Sequence, residues 1–152
     1  MRAALIVLGL SLSACASTSS NMNADQQEPP LPNSTMQTSQ PLVPGEETTG
    51  ALGCGQVAWY RIACPDGRPI TMRIFGQAQE NALGATATLT VVAPTGQAMG
   101  QLMIPVFARA PNWDPREQTF QPPAPGTFFA RVQLDPNGCQ RVGYRLSISN
   151  GG

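Results

Sequence analysis

The 152-residue sequence predicts an all-β protein: a small antiparallel β-sandwich, jelly-roll-like, of about seven strands, placed after an N-terminal leader and a disordered linker. Three observations lead there. From Gly55 onward apolar and polar residues alternate in short runs, the period of a half-buried strand. Gly and Pro, 15 of each, punctuate those runs. No segment carries a helical period of useful length.

Taken in order, the chain opens with one positive charge at Arg2 and an apolar run from Ala3 to Leu12, broken only by Gly9 and Ser11. A bilayer core of about 30 Å takes about 20 helical residues. The run is too short for that and suits the apolar region of a secretory signal. It ends in Leu12-Ser13-Ala14-Cys15, which resembles the lipobox of bacterial lipoproteins. The resemblance implies cleavage before Cys15 and acylation of its sulfur and amine, with palmitate or similar chains. Each buried methylene contributes ~0.8 kcal/mol, and stable anchoring takes more than one chain. Ala16 and Ser17 follow with no aspartate, which by resemblance to the sorting rule of enteric bacteria implies the outer membrane. The lipid bilayer, reached through acylated Cys15, is thus the first expected partner.

The expected division is 1–14 as signal peptide, 15–50 as lipidated cysteine and linker, and 51–152 as the folded domain. Ala16 to Gly50 is rich in Ser, Thr, Asn, Gln and Pro and carries four acids (Asp25, Glu28, Glu46, Glu47) and no base. Its scattered apolar residues, such as Leu31 and Met36, offer too little burial to offset chain entropy. Such a leash reaches at most ~115 Å extended and roughly 33 Å as a coil.

The seven expected strands start at Val57–Cys64, with Ala58, Tyr60, Ile62 and Cys64 on one face and Trp59 and Arg61 on the other. Pro65-Asp66-Gly67 turns the chain. Ile70 to Phe75 and Thr86 to Ala93 alternate in the same way, Pro94-Thr95-Gly96 closing the latter. Ala98 to Ile104 and the short Glu117 to Phe120 follow, separated by a long loop through Trp113. Phe128 to Leu134 and Val142 to Ile148 make the last hairpin around Asp135-Pro136-Asn137-Gly138. About seven strands in about 100 residues fits a two-sheet sandwich.

Val57-Ala58-Trp59-Tyr60-Arg61-Ile62, Gly126-Thr127-Phe128-Phe129-Ala130-Arg131-Val132 and Gly143-Tyr144-Arg145-Leu146-Ser147-Ile148 resemble, in order, three strands of the bacterial pre-peptidase C-terminal domain. The resemblance covers roughly Gly55 to Ser149 and implies an accessory sandwich used for binding or folding. Acidic residues that bind calcium in some members precede the Trp of that family; Gln56 and Ala58 stand there instead, so no metal is expected.

Export to an oxidising compartment makes a disulfide among Cys54, Cys64 and Cys139 the expectation. Cys54 and Cys64 flank one strand about 30 Å long, far beyond the limit near 7 Å for a bridge. If the first and last strands lie side by side, Cys64 meets Cys139. Cys64–Cys139 is the expected bridge, with Cys54–Cys139 as the alternative.

Function is read mostly by exclusion. The chain has no histidine and no lysine; all nine basic residues are arginine. That removes the commonest general base and metal ligand, and no G-x-S-x-G, H-E-x-x-H or P-loop occurs. Neither an enzyme nor a cofactor is expected. Residues 51–152 hold eight arginines and five acids, too weak a field for a nucleic-acid partner. If the first and last two strands are neighbours, Trp59, Arg61, Arg131 and Arg145 form one polar face suited to an anionic envelope glycan or an acidic envelope protein.

The function expected is therefore that of a non-catalytic, membrane-tethered binding or structural module, lipid-anchored in the outer membrane and facing periplasm or cell surface. The alternative is an enzyme inhibitor. Cys64-Pro65-Asp66-Gly67 resembles the Cys-x-x-Gly strand-turn of periplasmic lysozyme inhibitors, whose later Ser-Gly-x-x-Tyr and Trp-x-x-Gly motifs are absent. Replacing Cys15 with Ser is expected to move the protein from the membrane pellet to the soluble fraction on cell fractionation; retention in the pellet contradicts the anchor.

Overall fold

The computed structural model describes residues 28–78, 86–105, 115–134 and 141–151. It is an all-β sandwich of nine strands: β1 (Gln40–Leu42), β2 (Glu47–Leu52), β3 (Val57–Cys64), β4 (Ile70–Ala78), β5 (Thr86–Val92), β6 (Ala98–Pro105), β7 (Arg116–Phe120), β8 (Gly126–Leu134) and β9 (Val142–Asn150). A five-stranded sheet runs β1-β3-β8-β5-β6 and packs on a four-stranded sheet running β2-β9-β4-β7. Apart from the β5–β6 hairpin, each successive strand lies in the other sheet. All strand pairs are antiparallel except β1 with β3, which is parallel.

Period-2 patterning builds the core. Ala58, Tyr60 and Ile62 of β3 and Phe128, Ala130, Val132 and Leu134 of β8 face inward from one sheet. Ile70, Met72 and Ile74 of β4 and Tyr144, Leu146 and Ile148 of β9 answer from the other. Fully burying one such aliphatic or aromatic side chain contributes about 1.5–3 kcal/mol. Ordinary turns close one end. At Gly67 (φ 61°) and Gly96 (φ 87°) the backbone enters the left-handed region that glycine adopts without a steric penalty. The amide of Gly96 donates to the carbonyl of Ala93 at 2.9 Å. The strand ends at Ala78, Thr86, Pro105, Leu134 and Val142, which flank the longer connections, lie together at the opposite end.

One polar contact crosses the core. The hydroxyls of Tyr60, on β3, and Tyr144, on β9, are hydrogen-bonded to each other. Their rings stand edge to face with centroids 6.4 Å apart. Burial raises the pKa of Tyr60 above its usual value, opposed by hydrogen bonds from Tyr144 and Asn33. Burial likewise raises that of Tyr144, with the neighbouring Tyr60 adding to it. Both rings are therefore neutral phenols under any physiological condition. Gly50 of β2 is the cross-strand partner of Tyr144. A Cβ at Gly50 would overlap the Tyr144 ring, so the missing side chain makes the room in which that ring lies.

The expected boundary at residue 50 is corrected. β1 lies within 28–50, β2 begins there and runs across the boundary, and Asn33, Ser39 and Leu42 are buried. The side-chain amide of Gln56 donates to the carbonyl of Pro29. The Trp59 amide donates to the Asn33 carbonyl at 2.8 Å, and Asn33 Nδ2 returns a bond to the Trp59 carbonyl at 3.1 Å. Residues 28–50 thus belong to the sandwich. Residues 1–27, which include Cys15 and the leader, lie outside the described residues.

The expected Cys64–Cys139 bridge is corrected as well. Cys64 is a buried free thiol whose pKa burial raises. The physical reason is the sheet order: β3 and β9 are not side by side but face each other from opposite sheets. Cys64 ends β3 beside Gly126, whereas Val142 begins β9 at the other end of the sandwich, beside Leu52. Cys54, two residues past Leu52, is the cysteine that is disulfide-bonded. Cys139 lies outside the described residues.

Gly50→Ala is expected to destabilise the domain by about 1–3 kcal/mol, the usual cost of overpacking, read as a lower urea midpoint at unchanged slope. In a chain beginning at Ala16, denatured without reductant, thiol titration is expected to find one thiol, none in Cys64→Ser and two in Cys54→Ser. Only Cys54→Ser is expected to lose the roughly 2–4 kcal/mol of a disulfide.

Candidate functional site

Strand alternation leaves two outer faces. On the five-stranded sheet, β3 sends Trp59 and Arg61 outward, and β8 sends Phe129 and Arg131. The register sets Trp59 opposite Arg131 and Arg61 opposite Phe129. The Arg131 guanidinium lies over the Trp59 ring, 5.7 Å from its centroid, a cation–π geometry. Trp59 and Arg131 are half-buried and Arg61 is exposed. The paired hydrogen bonds to Asn33 fix the Trp59 backbone from the edge-strand side. Arg131 Nε is buried with no acceptor.

Arg145 does not join them. It points outward from β9 on the four-stranded sheet, so the expected four-residue face is divided between opposite sides of the sandwich. The expectation failed for the same reason as the disulfide did, because it required the first and last strands to be neighbours in one sheet. On its own face Arg145 Nη1 is 3.5 Å from Glu47 Oε1 and its guanidinium is 5.7 Å from the Phe75 ring centroid. Arg73 meets the same ring at 5.9 Å and pairs with Glu117. Thr71 and Thr119 share a hydroxyl hydrogen bond at 3.0 Å beside them. These ion pairs are roughly half exposed, and such surface pairs typically contribute only about 0–1 kcal/mol each. On this face Arg73 and Arg145 each meet a glutamate and share the Phe75 ring.

The residues that sequence reasoning passed over are Asn33, Glu47 and Phe75. Asn33 and Glu47 sit in the stretch taken as linker, and Phe75 is a single aromatic on the polar side of an alternating strand. Only the pairing of β4 with β9 reveals that it lies between two arginines.

In the interior, the titratable groups with raised pKa are Tyr60, Tyr144 and Cys64. All three are packed in the apolar core rather than lining a cleft. Among the described residues no group of three or more His, Cys, Asp or Glu is placed to hold a metal ion. The two sheets offer binding surfaces: a cationic aromatic face on one and a charge-paired face on the other.

No protein-family model and no curated protein sequence matches the chain. Among solved structures, the chain is similar to PliG of Aeromonas hydrophila, a periplasmic lysozyme inhibitor of g-type lysozyme. The TM-score is 0.53 at 16% identity, over 74% of this chain and 96% of that one. A second similarity is to the enzymatically active domain of tailspike protein 4 of bacteriophage CBA120, with a TM-score of 0.41 at 9% identity, over 70% of this chain and 20% of that one. At these identities the first likeness establishes a shared fold: a two-sheet β-sandwich of which nearly the whole of PliG is an example.

Proposed function

We propose that the protein is a non-catalytic, lipid-anchored envelope module whose β-sandwich engages and inhibits a lysozyme. The observation that carries the reading is the likeness to the periplasmic inhibitor PliG, which extends over 96% of that protein. The chain supplies the rest of the support. It has no histidine, and its interior titratable groups are sealed in the core rather than lining a cleft. The lipobox-like Leu12–Cys15 addresses the protein to the compartment where cell-wall hydrolases act, with the outer membrane as the expected leaflet. The Cys64-Pro65-Asp66-Gly67 segment forms the tight β3–β4 turn, closed by the Gly67 amide donating to the Cys64 carbonyl at 3.3 Å, so the strand-turn resemblance falls on a real turn.

The partner under this reading is a protein, and binding needs no cofactor. The test is a cell-wall turbidity assay in which residues 28–152 are titrated against a g-type lysozyme and a lysozyme of another type. Dose-dependent, stoichiometric inhibition of the g-type enzyme is expected. Full activity of both enzymes at a tenfold molar excess of the domain would remove the inhibitor reading, leaving a tethered module with another partner.

A further inference from the structure

The two outer faces of the sandwich differ in how their charge is balanced. On the four-stranded sheet Arg73 and Arg145 each have a glutamate within ion-pair distance. On the five-stranded sheet the outward positions of β3, β8, β5 and β6 hold two arginines and no acid at all. Among the described residues neither Arg61 nor Arg131 forms an ion pair. The register makes them diagonal neighbours across the β3–β8 ladder, with Cβ atoms about 7 Å apart. Two uncompensated guanidinium groups therefore share one small area.

Arg131 is also poorly suited to its place as a structural residue. Its Nε is buried without an acceptor, and an unpaired buried donor destabilises the fold. A methionine would cover the Trp59 ring without that penalty. Positions that break a local rule without evident structural gain are where binding demands tend to lie. The neighbours specify the kind of ligand. Thr88, Gln101 and Gln133 point outward beside the arginines and bring hydroxyl and amide groups. Of the apolar side chains on this face, Val92 is buried, Phe129 half-buried and Met103 of β6 exposed at its far edge. Across strands about 4.8 Å apart, the face sets two guanidinium groups, hydroxyl and amide groups and an indole in rows, the donors that a chain of carboxylates and hydroxyls accepts from.

We propose that the outer face of the β3–β8–β5–β6 sheet binds a linear anionic polysaccharide. Arg61 and Arg131 take its carboxylates, Trp59 packs against a sugar ring, and the flanking hydroxyl and amide groups hydrogen-bond its hydroxyls. Guanidinium pairs with carboxylate by two parallel N–H···O bonds, which gives orientation as well as attraction. This site is separate from the inhibitor reading, and no lysozyme enters its test.

The test is calorimetric titration at low ionic strength of residues 28–152 with three probes: an oligogalacturonate, an uncharged dextran oligomer and poly-glutamate. Oligogalacturonate is expected to bind, to weaken with salt and to exceed both other probes. Arg61→Ser with Arg131→Ser is expected to lose at least tenfold in affinity, and Arg145→Ser, on the opposite face, to stay within twofold of wild type. Arg61→Ser alone, at an exposed position, is expected to lose at least threefold, which keeps the test decisive if the double variant misfolds. Arg131→Met is expected to melt at or above the wild-type temperature while losing affinity. No binding of oligogalacturonate, an equal loss in Arg145→Ser, tighter binding of poly-glutamate, or a lower melting temperature for Arg131→Met would each overturn the proposal.

Discussion

Two tyrosine hydroxyls meeting in the middle of an apolar core set the terms for the rest of this molecule. Tyr60 and Tyr144 come from different sheets, and their hydrogen bond is a directional link between layers that otherwise meet through non-directional packing. A buried hydroxyl left without a partner costs about 1–3 kcal/mol, so any sliding of one sheet over the other that parts the pair is penalised. The demand spreads outward. Tyr144 needs space over its cross-strand neighbour, which only glycine at position 50 leaves. Tyr60 is further supported by Asn33, which in turn bonds the Trp59 backbone. β2 and the segment before β1 are thereby tied to the core.

That chain of dependence explains what could and could not be read from the amino-acid order. Strands β3 to β9 each coincide with a segment recognisable from pattern alone, although alternation lapses in β5, where Leu89 to Val92 are buried on both faces, and in the short β7. β1 and β2 do not. β1 has only Leu42 as a buried side chain and contains Pro41, tolerable because it lies on an edge. β2 faces the core with Thr48, Gly50 and Leu52, and its central inward position is a glycine whose volume is supplied by Tyr144 from the neighbouring strand. A hydrophobic pattern cannot register a side chain that another strand provides. The pairing errors had a different source. Alternation tells which residues of a strand point the same way but not which sheet the strand joins. Cys64–Cys139 and the union of Arg145 with Trp59, Arg61 and Arg131 both assumed β3 beside β9, where the fold sets them face to face.

The same segregation organises the surface. The three stretches 57–62, 126–132 and 143–148 fall on β3, β8 and β9: the first two adjacent and antiparallel, the third directly across the core. Their arginines are consequently sorted into two environments. On one side Arg145 and Arg73 are neutralised by glutamates around Phe75, and on the other Arg61 and Arg131 are left with an indole and no counter-charge. A domain nearly neutral over its whole length can thus present one face that attracts anions and one that is indifferent to them, a distinction invisible in net charge.

The short parallel seam of β1 on β3 also has a mechanical meaning. Tension arriving from the N-terminal side reaches the sandwich through Pro29, Asn33 and the three paired residues of β1 before it reaches β2. β2 is held along six residues by β9, so the seam ahead of it is the weaker joint. Under load the chain would unzip from the edge of β3 first and lengthen by the freed residues, while the sheet pairing beyond Glu47 stays intact. A protein pulled from that end carries its own shock absorber, built from the polar stretch that looks least like structure.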